Sequence, residues 1–162
     1  MTTIASEFSL NGSVVTNCII HQIYDGDTFR VSAKFPQLTQ PYTFKCRLRG
    51  IDTPEIRTKN DSEKQLGNLA KQFVIQAVAA TGVKKVRCYN FGKYGRLVVD
   101  VLLNDGRDLC TTLIDEKLGV PYNGHSNRKR EDNFWYNMLQ ERKSLIKNNI
   151  LKQHILFTRS TL

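Results

Sequence analysis

The chain has 162 residues, enough for one domain with a full core and short for two. Its formal net charge is +9, from 24 Lys and Arg against 15 Asp and Glu, and such an excess points to a polyanionic partner rather than to a merely solvated surface. No run is long and apolar enough to cross a bilayer, and none sets a clean apolar face against a basic one, so a membrane is not the expected partner.

Residues 1–12 read as a polar, loose lead-in. Residues 1–7 lack the basic start and apolar core of a signal peptide, so an intracellular location is expected. Val14 to Tyr24, rich in Val, Ile and Thr, predicts a strand, and Asp25-Gly26 a hairpin turn into a return strand from Thr28 to Lys34. A loop around Pro36 follows. From Tyr42 to Gly50, Tyr42, Phe44, Cys46 and Leu48 alternate with Lys45, Arg47 and Arg49, giving a third strand with one apolar and one basic face. Asn60-Asp61-Ser62 opens a helix, with Ser62 and Gln65 at capping-box spacing. The stripe Leu66, Leu69, Ala70, Phe73, Val74 and Ala77 carries that helix to Gly82.

Val83 to Phe91 and Arg96 to Leu103 are the fourth and fifth strands, joined by a turn at Gly92–Gly95. Asp108 caps a short helix from Leu109 to Leu118, which Gly119 and Pro121 stop. Residues 122–130 form a polar, basic loop. Phe134, Trp135, Met138, Leu139, Leu145, Ile146 and Ile150 mark a last amphipathic helix with Lys and Arg on its other face, and the chain from Lys152 onward has no readable pattern. The order predicts an α+β fold: a five-stranded antiparallel OB-fold barrel, a helix inserted after strand three and two C-terminal helices. One monomeric domain over residues 13–150 is expected, with a tail at 151–162. Cys18, Cys46, Cys88 and Cys110 make no C-x-x-C pair and read as reduced, packed thiols.

Three short stretches carry chemistry. In Asp25-Gly26-Asp27-Thr28, Asp27 lies just past the turn, where its carboxylate can face a barrel mouth, while Asp25 can stay in the turn and orient its neighbours. In Arg47-Leu48-Arg49-Gly50-Ile51-Asp52-Thr53-Pro54-Glu55, Pro54 donates no backbone hydrogen bond and holds Thr53 extended between two acids. A solvated polar turn is the plainer reading of that stretch. Beside Asp27, however, Asp52, Thr53 and Glu55 offer oxygen ligands alone, which suit Ca²⁺ or Mg²⁺ and not zinc. In Lys93-Tyr94-Gly95-Arg96, Gly95 lets the backbone come close and Arg96 opens a strand. Each arginine alone is most often a surface charge; Arg47 and Arg96 converging on a metal would clamp a phosphate with their forked guanidinium groups.

These three motifs, Y-D-G-D-T, R-L-R-G-I-D-T-P-E and K-Y-G-R, in this order and with a helix between the second and third, resemble the staphylococcal nuclease (thermonuclease) family over about residues 14–140. The resemblance implies an OB-fold, Ca²⁺-dependent phosphodiesterase acting on DNA and RNA and leaving 5′-hydroxyl and 3′-phosphate ends. It implies Asp27 and Asp52 as metal carboxylates, with the backbone carbonyl of Thr53 beside them. Glu55 would position or deprotonate the attacking water, and Arg47 and Arg96 would bind the phosphate. Lys93 and Tyr94 would flank a terminal phosphate or base, and Tyr122 would match an aromatic that stacks on a base. Gly92 departs from the Asp common at that place in relatives. A different class of function, an OB-fold module that holds single strands of nucleic acid without cutting, is disfavoured by retention of Asp27, Arg47, Asp52, Glu55 and Arg96.

Overall fold

The computed structural model describes residues 8–125, 130, 131 and 133–160. Among these described residues eight strands form: β1 (Val14–Val15), β2 (Ile19–His21), β3 (Thr28–Ala33), β4 (Tyr42–Leu48), β5 (Ile51–Asp52), β6 (Val83–Phe91), β7 (Leu97–Leu103) and β8 (Val120–Pro121). Three α-helices join them: α1 (Asp61–Thr81), α2 (Leu109–Asp115) and α3 (Phe134–Ser160). Six strands make one sheet in the order β1-β6-β7-β4-β3-β2, and β5 pairs with β8 in a separate small ladder.

The α+β class stands, but the expectation of five antiparallel strands needs correcting in two places. The single strand expected from Val14 to Tyr24 breaks into β1 and β2 around Asn17, whose φ is 52°. A residue in the left-handed region cannot continue a strand, so the two pieces part and pair at opposite edges of the sheet, β1 with β6 and β2 with β3. Further, β4 and β7 run parallel, with Cys46 opposite Leu97 and Leu48 opposite Val99. The sheet is therefore mixed, and among the described residues no hydrogen-bonded seam closes it. Its two edge strands are separated in the chain only by residues 16–18, so the sheet curls until its edges approach.

The interior follows the period-two alternation. Phe29 and Val31 of β3, Cys46 and Leu48 of β4, Val86 and Cys88 of β6, and Leu97, Val99, Val101 and Leu103 of β7 are all buried. Helix α1 covers this interior with Leu66, Ala70 and Val74, α2 with Leu109 and Leu113, and α3 with Trp135, Met138 and Leu139. The thiols are free: Cys18, Cys46 and Cys88 are buried and Cys110 is half-buried. Burial pushes the Cys46 thiol up to about 12 and the Cys88 thiol to about 11, which keeps both protonated and unreactive.

The cap of α1 is Asn60, not the Ser62 expected. Its side chain accepts from the Glu63 amide at 2.9 Å, so the capping pair is Asn60 with Glu63. At the other end Gly82 takes a φ of 72° and closes the helix, as expected. Helix α2 stops at Asp115, short of the expected Leu118, and α3 runs unbroken past Ile150 to Ser160. The lead-in is tied down from Leu10, whose side chain is buried, and the Gly12 amide donates to the Cys88 carbonyl at 2.9 Å. No helix among the described residues is long and apolar enough to cross a membrane.

Candidate active site

The turn before β3 is shaped by its own acids. The Tyr24 amide donates to the Thr28 carbonyl at 2.9 Å, and Asp25 accepts from the Asp27 amide at 3.3 Å, so Asp25 does hold the turn. Gly26 is fixed by space: a Cβ there would stand 2.8 Å from both the Ala70 Cβ and a Thr53 methyl. The turn is thus pressed between α1 and the Asp52–Glu55 segment. That segment is pressed in turn by α1, where a Cβ on Gly67 would meet the Pro54 carbonyl at 2.7 Å. Glu63 pins the chain beyond Pro54, accepting from the Glu55 amide at 3.2 Å and from the Thr58 hydroxyl at 2.7 Å.

These constraints bring Asp27 and Asp52 to Arg47. Thr28 and Arg47 are opposite one another across β3 and β4. The Arg47 guanidinium reaches Asp27 at 2.8 Å and Asp52 at 3.5 Å. Asp27 also accepts from the Thr53 amide at 2.9 Å and from the Thr28 hydroxyl at 3.0 Å. Arg96 joins through the same hydroxyl, donating to Thr28 Oγ1 at 3.0 Å. Arg96, Thr28, Asp27, Arg47 and Asp52 therefore form one polar chain, with Asp27 buried at its centre.

Electrostatics set Asp27 apart. Burial raises its carboxyl, Arg47 opposes that, Asp25 adds to it and the Thr53 hydrogen bonds oppose it; the balance lies at about 6. One guanidinium shared between two carboxylates does not offset the loss of solvent at the buried one. Glu55 is exposed on the rim. Partial desolvation raises its pKa first, then the charges of Asp27, Asp52 and Glu63 add to that, while Arg47 opposes them.

The remaining expected residues lie around this chain. Tyr122 is tied to the Gly50 carbonyl through its amide at 3.0 Å, and its ring lies 5.6 Å from the Arg47 guanidinium. Between them is a cavity of about 350 Å³ lined by Arg47, Arg49, Gly50, Val98, Tyr122 and Asn123. Lys93 and Tyr94 sit in a 3₁₀ turn, Lys93–Gly95, and are exposed; no hydrogen bond or ion pair among the described residues ties them to the carboxylates.

Arg130 is a site residue that the sequence does not reveal. Its guanidinium contacts Asp52 at 2.6 Å and lies 4.6 Å from the centre of the Trp135 ring. Nothing in a polar stretch with several basic residues singles it out. Thr28, which links Arg96 to Asp27, carries no signal beyond its place in a motif.

Among the described residues no three acidic, histidine or cysteine side chains stand grouped as a ready metal cage. The donor set nevertheless fits a hard divalent cation. Asp27 and Asp52 present oxygen alone and lie on one guanidinium, and the buried Asp27 is short of positive charge. Backbone carbonyl and water would complete the coordination.

A family model described as "Staphylococcal nuclease homologue" matches residues 45–149, more than half of the chain, beginning within β4 and ending within α3. No curated protein matches the chain.

Proposed function

The chain belongs to the staphylococcal nuclease family, and from that premise we propose that it is a Ca²⁺-dependent phosphodiesterase that cuts DNA and RNA with little regard for sequence. The observation that carries this reading is the buried Asp27, bonded to Arg47 and linked through Thr28 to Arg96. Two carboxylates and two guanidinium groups thus share one polar chain at the end of β4.

Asp27, Asp52 and the Thr53 carbonyl would hold Ca²⁺, which when bound would supply positive charge to the phosphate oxygens and to the attacking water. The chain's own groups do the rest. Arg47 and Arg96 bind the scissile phosphate and stabilise the charge that grows on it as the new bond forms. Glu55, with its pKa raised, positions the water and accepts its proton. Tyr122 stacks on a base beside Arg47, while Lys93 and Tyr94 flank the strand from their exposed turn. Cleavage leaves 5′-hydroxyl and 3′-phosphate ends.

Plasmid nicking with Ca²⁺ and with a chelator is the direct test. The calcium reaction is expected to be nuclease-active and the chelated one inactive. Glu55→Gln is expected to keep most Ca²⁺ and DNA affinity while lowering kcat by about two to four orders of magnitude, the worth of a positioned general base. DNA binding with no cutting under any metal would leave a single-strand-binding module in its place.

A further inference from the structure

On the outer face of β3 and β4, one row beyond the proposed site, Arg30 and Lys45 stand directly opposite each other. Two like charges facing across neighbouring strands repel, and folded sheets ordinarily avoid or offset such pairs. Among the described residues no carboxylate pairs with either. The ion pairs among the described residues lie elsewhere, on Arg47, Arg49, Arg107, Lys117, Arg130 and Arg142.

What holds the two cations is an aromatic. Arg30 Nε donates to the Tyr24 hydroxyl at 3.0 Å, and Lys45 Nζ lies 4.6 Å from the centre of the Tyr24 ring. Tyr24 is itself 40% exposed. It sits at the start of the turn that delivers Asp27, so this cluster shares a rigid element with the proposed site. Residues two apart on a strand share a face and lie about 7 Å apart, so Lys45 follows Arg47 at roughly the stride of one nucleotide in an extended strand. His21 stands opposite Arg30 on the far side from Lys45, but its ring meets Ser32 at 2.7 Å, and Ser32 meets Thr43 across the next row out at 2.6 Å, so these three side chains are already satisfied among themselves.

We propose that Tyr24, Arg30 and Lys45 form a second phosphate subsite, which holds a non-scissile phosphate of the nucleic-acid strand next to the one gripped by Arg47 and Arg96. Arg30 and Lys45 supply the charge, and Tyr24 holds Arg30 by its hydroxyl and Lys45 by its ring before the strand arrives, so little side-chain freedom is lost on binding. The subsite rests on the nuclease reading for its substrate class. It explains why a pair of unneutralised cations is kept beside a site whose Arg47 and Arg130 are shared with carboxylates.

The test uses two ligands and two charge-matched double variants. Binding is measured in chelator by fluorescence anisotropy for a single-stranded oligonucleotide of about eight nucleotides, within the range of one OB fold. Cleavage in Ca²⁺ is measured for that oligonucleotide and for a dinucleotide with a single phosphodiester. R30Q/K45Q is expected to weaken oligonucleotide binding about tenfold and to lower the slope of log affinity against log salt by about 0.7, the release of one phosphate contact. It should leave kcat/KM on the dinucleotide within about twofold of wild type, because that substrate ends before the subsite. K64Q/K71Q, which removes two charges from α1, is expected to bind the oligonucleotide nearly as wild type does.

Equal losses in the two double variants, or equal losses on the long and short substrates, would overturn the subsite. Relief of like charge should leave the melting temperature of R30Q/K45Q at or above wild type. If it falls instead, the single Lys45→Gln, at an exposed position, carries the same comparison. Loss of oligonucleotide binding in R30Q/K45Q from a wild-type protein that binds but never cuts would keep the subsite and remove the nuclease reading.

Discussion

Arg47 and Arg49 are two residues apart, and each pairs with an aspartate, yet the two clusters do opposite things to their acids. Arg47 is largely buried, divides itself between Asp27 and Asp52, and leaves the Asp27 carboxyl raised to about 6. Arg49 is half-exposed and gives both arms to one acid, reaching Asp100 at 2.9 and 3.0 Å while the Tyr89 hydroxyl donates to it at 2.6 Å. Burial raises Asp100, but the hydrogen bonds from Arg49 and Tyr89 outweigh it and bring its pKa below the ordinary value. Each acid accepts from three donors, but Asp100 has a whole guanidinium to itself near solvent, while Asp27 is buried and shares its guanidinium with Asp52, which leaves it short of positive charge. A saturated acid is a pin between β4 and β7, whereas an undersupplied one is a place where a cation gains.

Exchanging each aspartate for its amide separates the two most widely. Asp27→Asn is expected to cost about a thousandfold or more in the proposed nuclease turnover, since it removes both the proposed metal ligand and the partner that holds Arg47. Asp100→Asn is expected to leave turnover within a few-fold. Steady-state cleavage at saturating Ca²⁺ decides this, and similar losses in both would erase the distinction.

Exchanging the arginines for lysine probes the fork. Arg47→Lys and Arg96→Lys keep charge but lose bidentate geometry, and each is expected to lower kcat/KM by about a hundredfold. Arg49→Lys is expected to change it little. Near wild-type turnover in Arg96→Lys would move that residue out of the phosphate clamp.

Calcium itself should find only one of the clusters. At a hundred times its Kd it should stabilise wild type and Asp100→Asn alike, by about 2.7 kcal/mol if it binds the native state alone. Asp27→Asn should show almost none of that shift in a thermal melt. A full shift in that variant would place the cation elsewhere.

The smallest effect is the pH dependence of the metal-free protein. A carboxyl raised in the folded state adds stability that is complete below its unfolded pKa near 4 and is lost as pH climbs through about 6. Asp100, lowered in the folded state, works in the other sense: its contribution is present above the unfolded pKa and fades as pH falls through the folded one. In chelator, replacing Asp27 should therefore raise the melting temperature near pH 7.5 relative to its effect near pH 4, and replacing Asp100 should lower it, each by a few degrees. Parallel pH profiles for the two variants would mean that the acids share one environment.

How much of the molecule is legible in its sequence depends on how local the cause is. The alternation in β3, β4, β6 and β7 marks the buried faces because neighbouring side chains alternate in any strand. Asp27, Arg47, Asp52 and Arg96 can be picked out because each lies in a short motif at a strand end or turn. The break at Asn17 cannot, since no Gly announces its left-handed backbone. The parallel pairing of β4 with β7 is a relation between distant segments that periodicity does not encode. Arg130 reaches Asp52 from a stretch of like residues, and Glu63 pins the Glu55 loop from inside a helix where an acid in the first turn is ordinary. The motifs name the candidate site groups; some of the groups that hold them come from elsewhere in the chain.

The parallel contact between β4 and β7 also fixes when the site can exist. Helix α1 and the whole of β6 lie between the two strands in the chain, so their pairing must close a long loop. Contacts of that span form late and slowly, because the entropy of closure is spent before the contact repays it. The β6–β7 hairpin and α1 need no such closure. In pulse-labelled hydrogen exchange during refolding, α1 and β6–β7 amides should gain protection first, and Arg49, whose amide bonds the Val99 carbonyl, with the slowest phase. Arg47 and Arg96 would then be brought together only at the end, leaving a nearly complete chain that is compact, helical and still inert; early protection at Arg49 would refute that sequence of events.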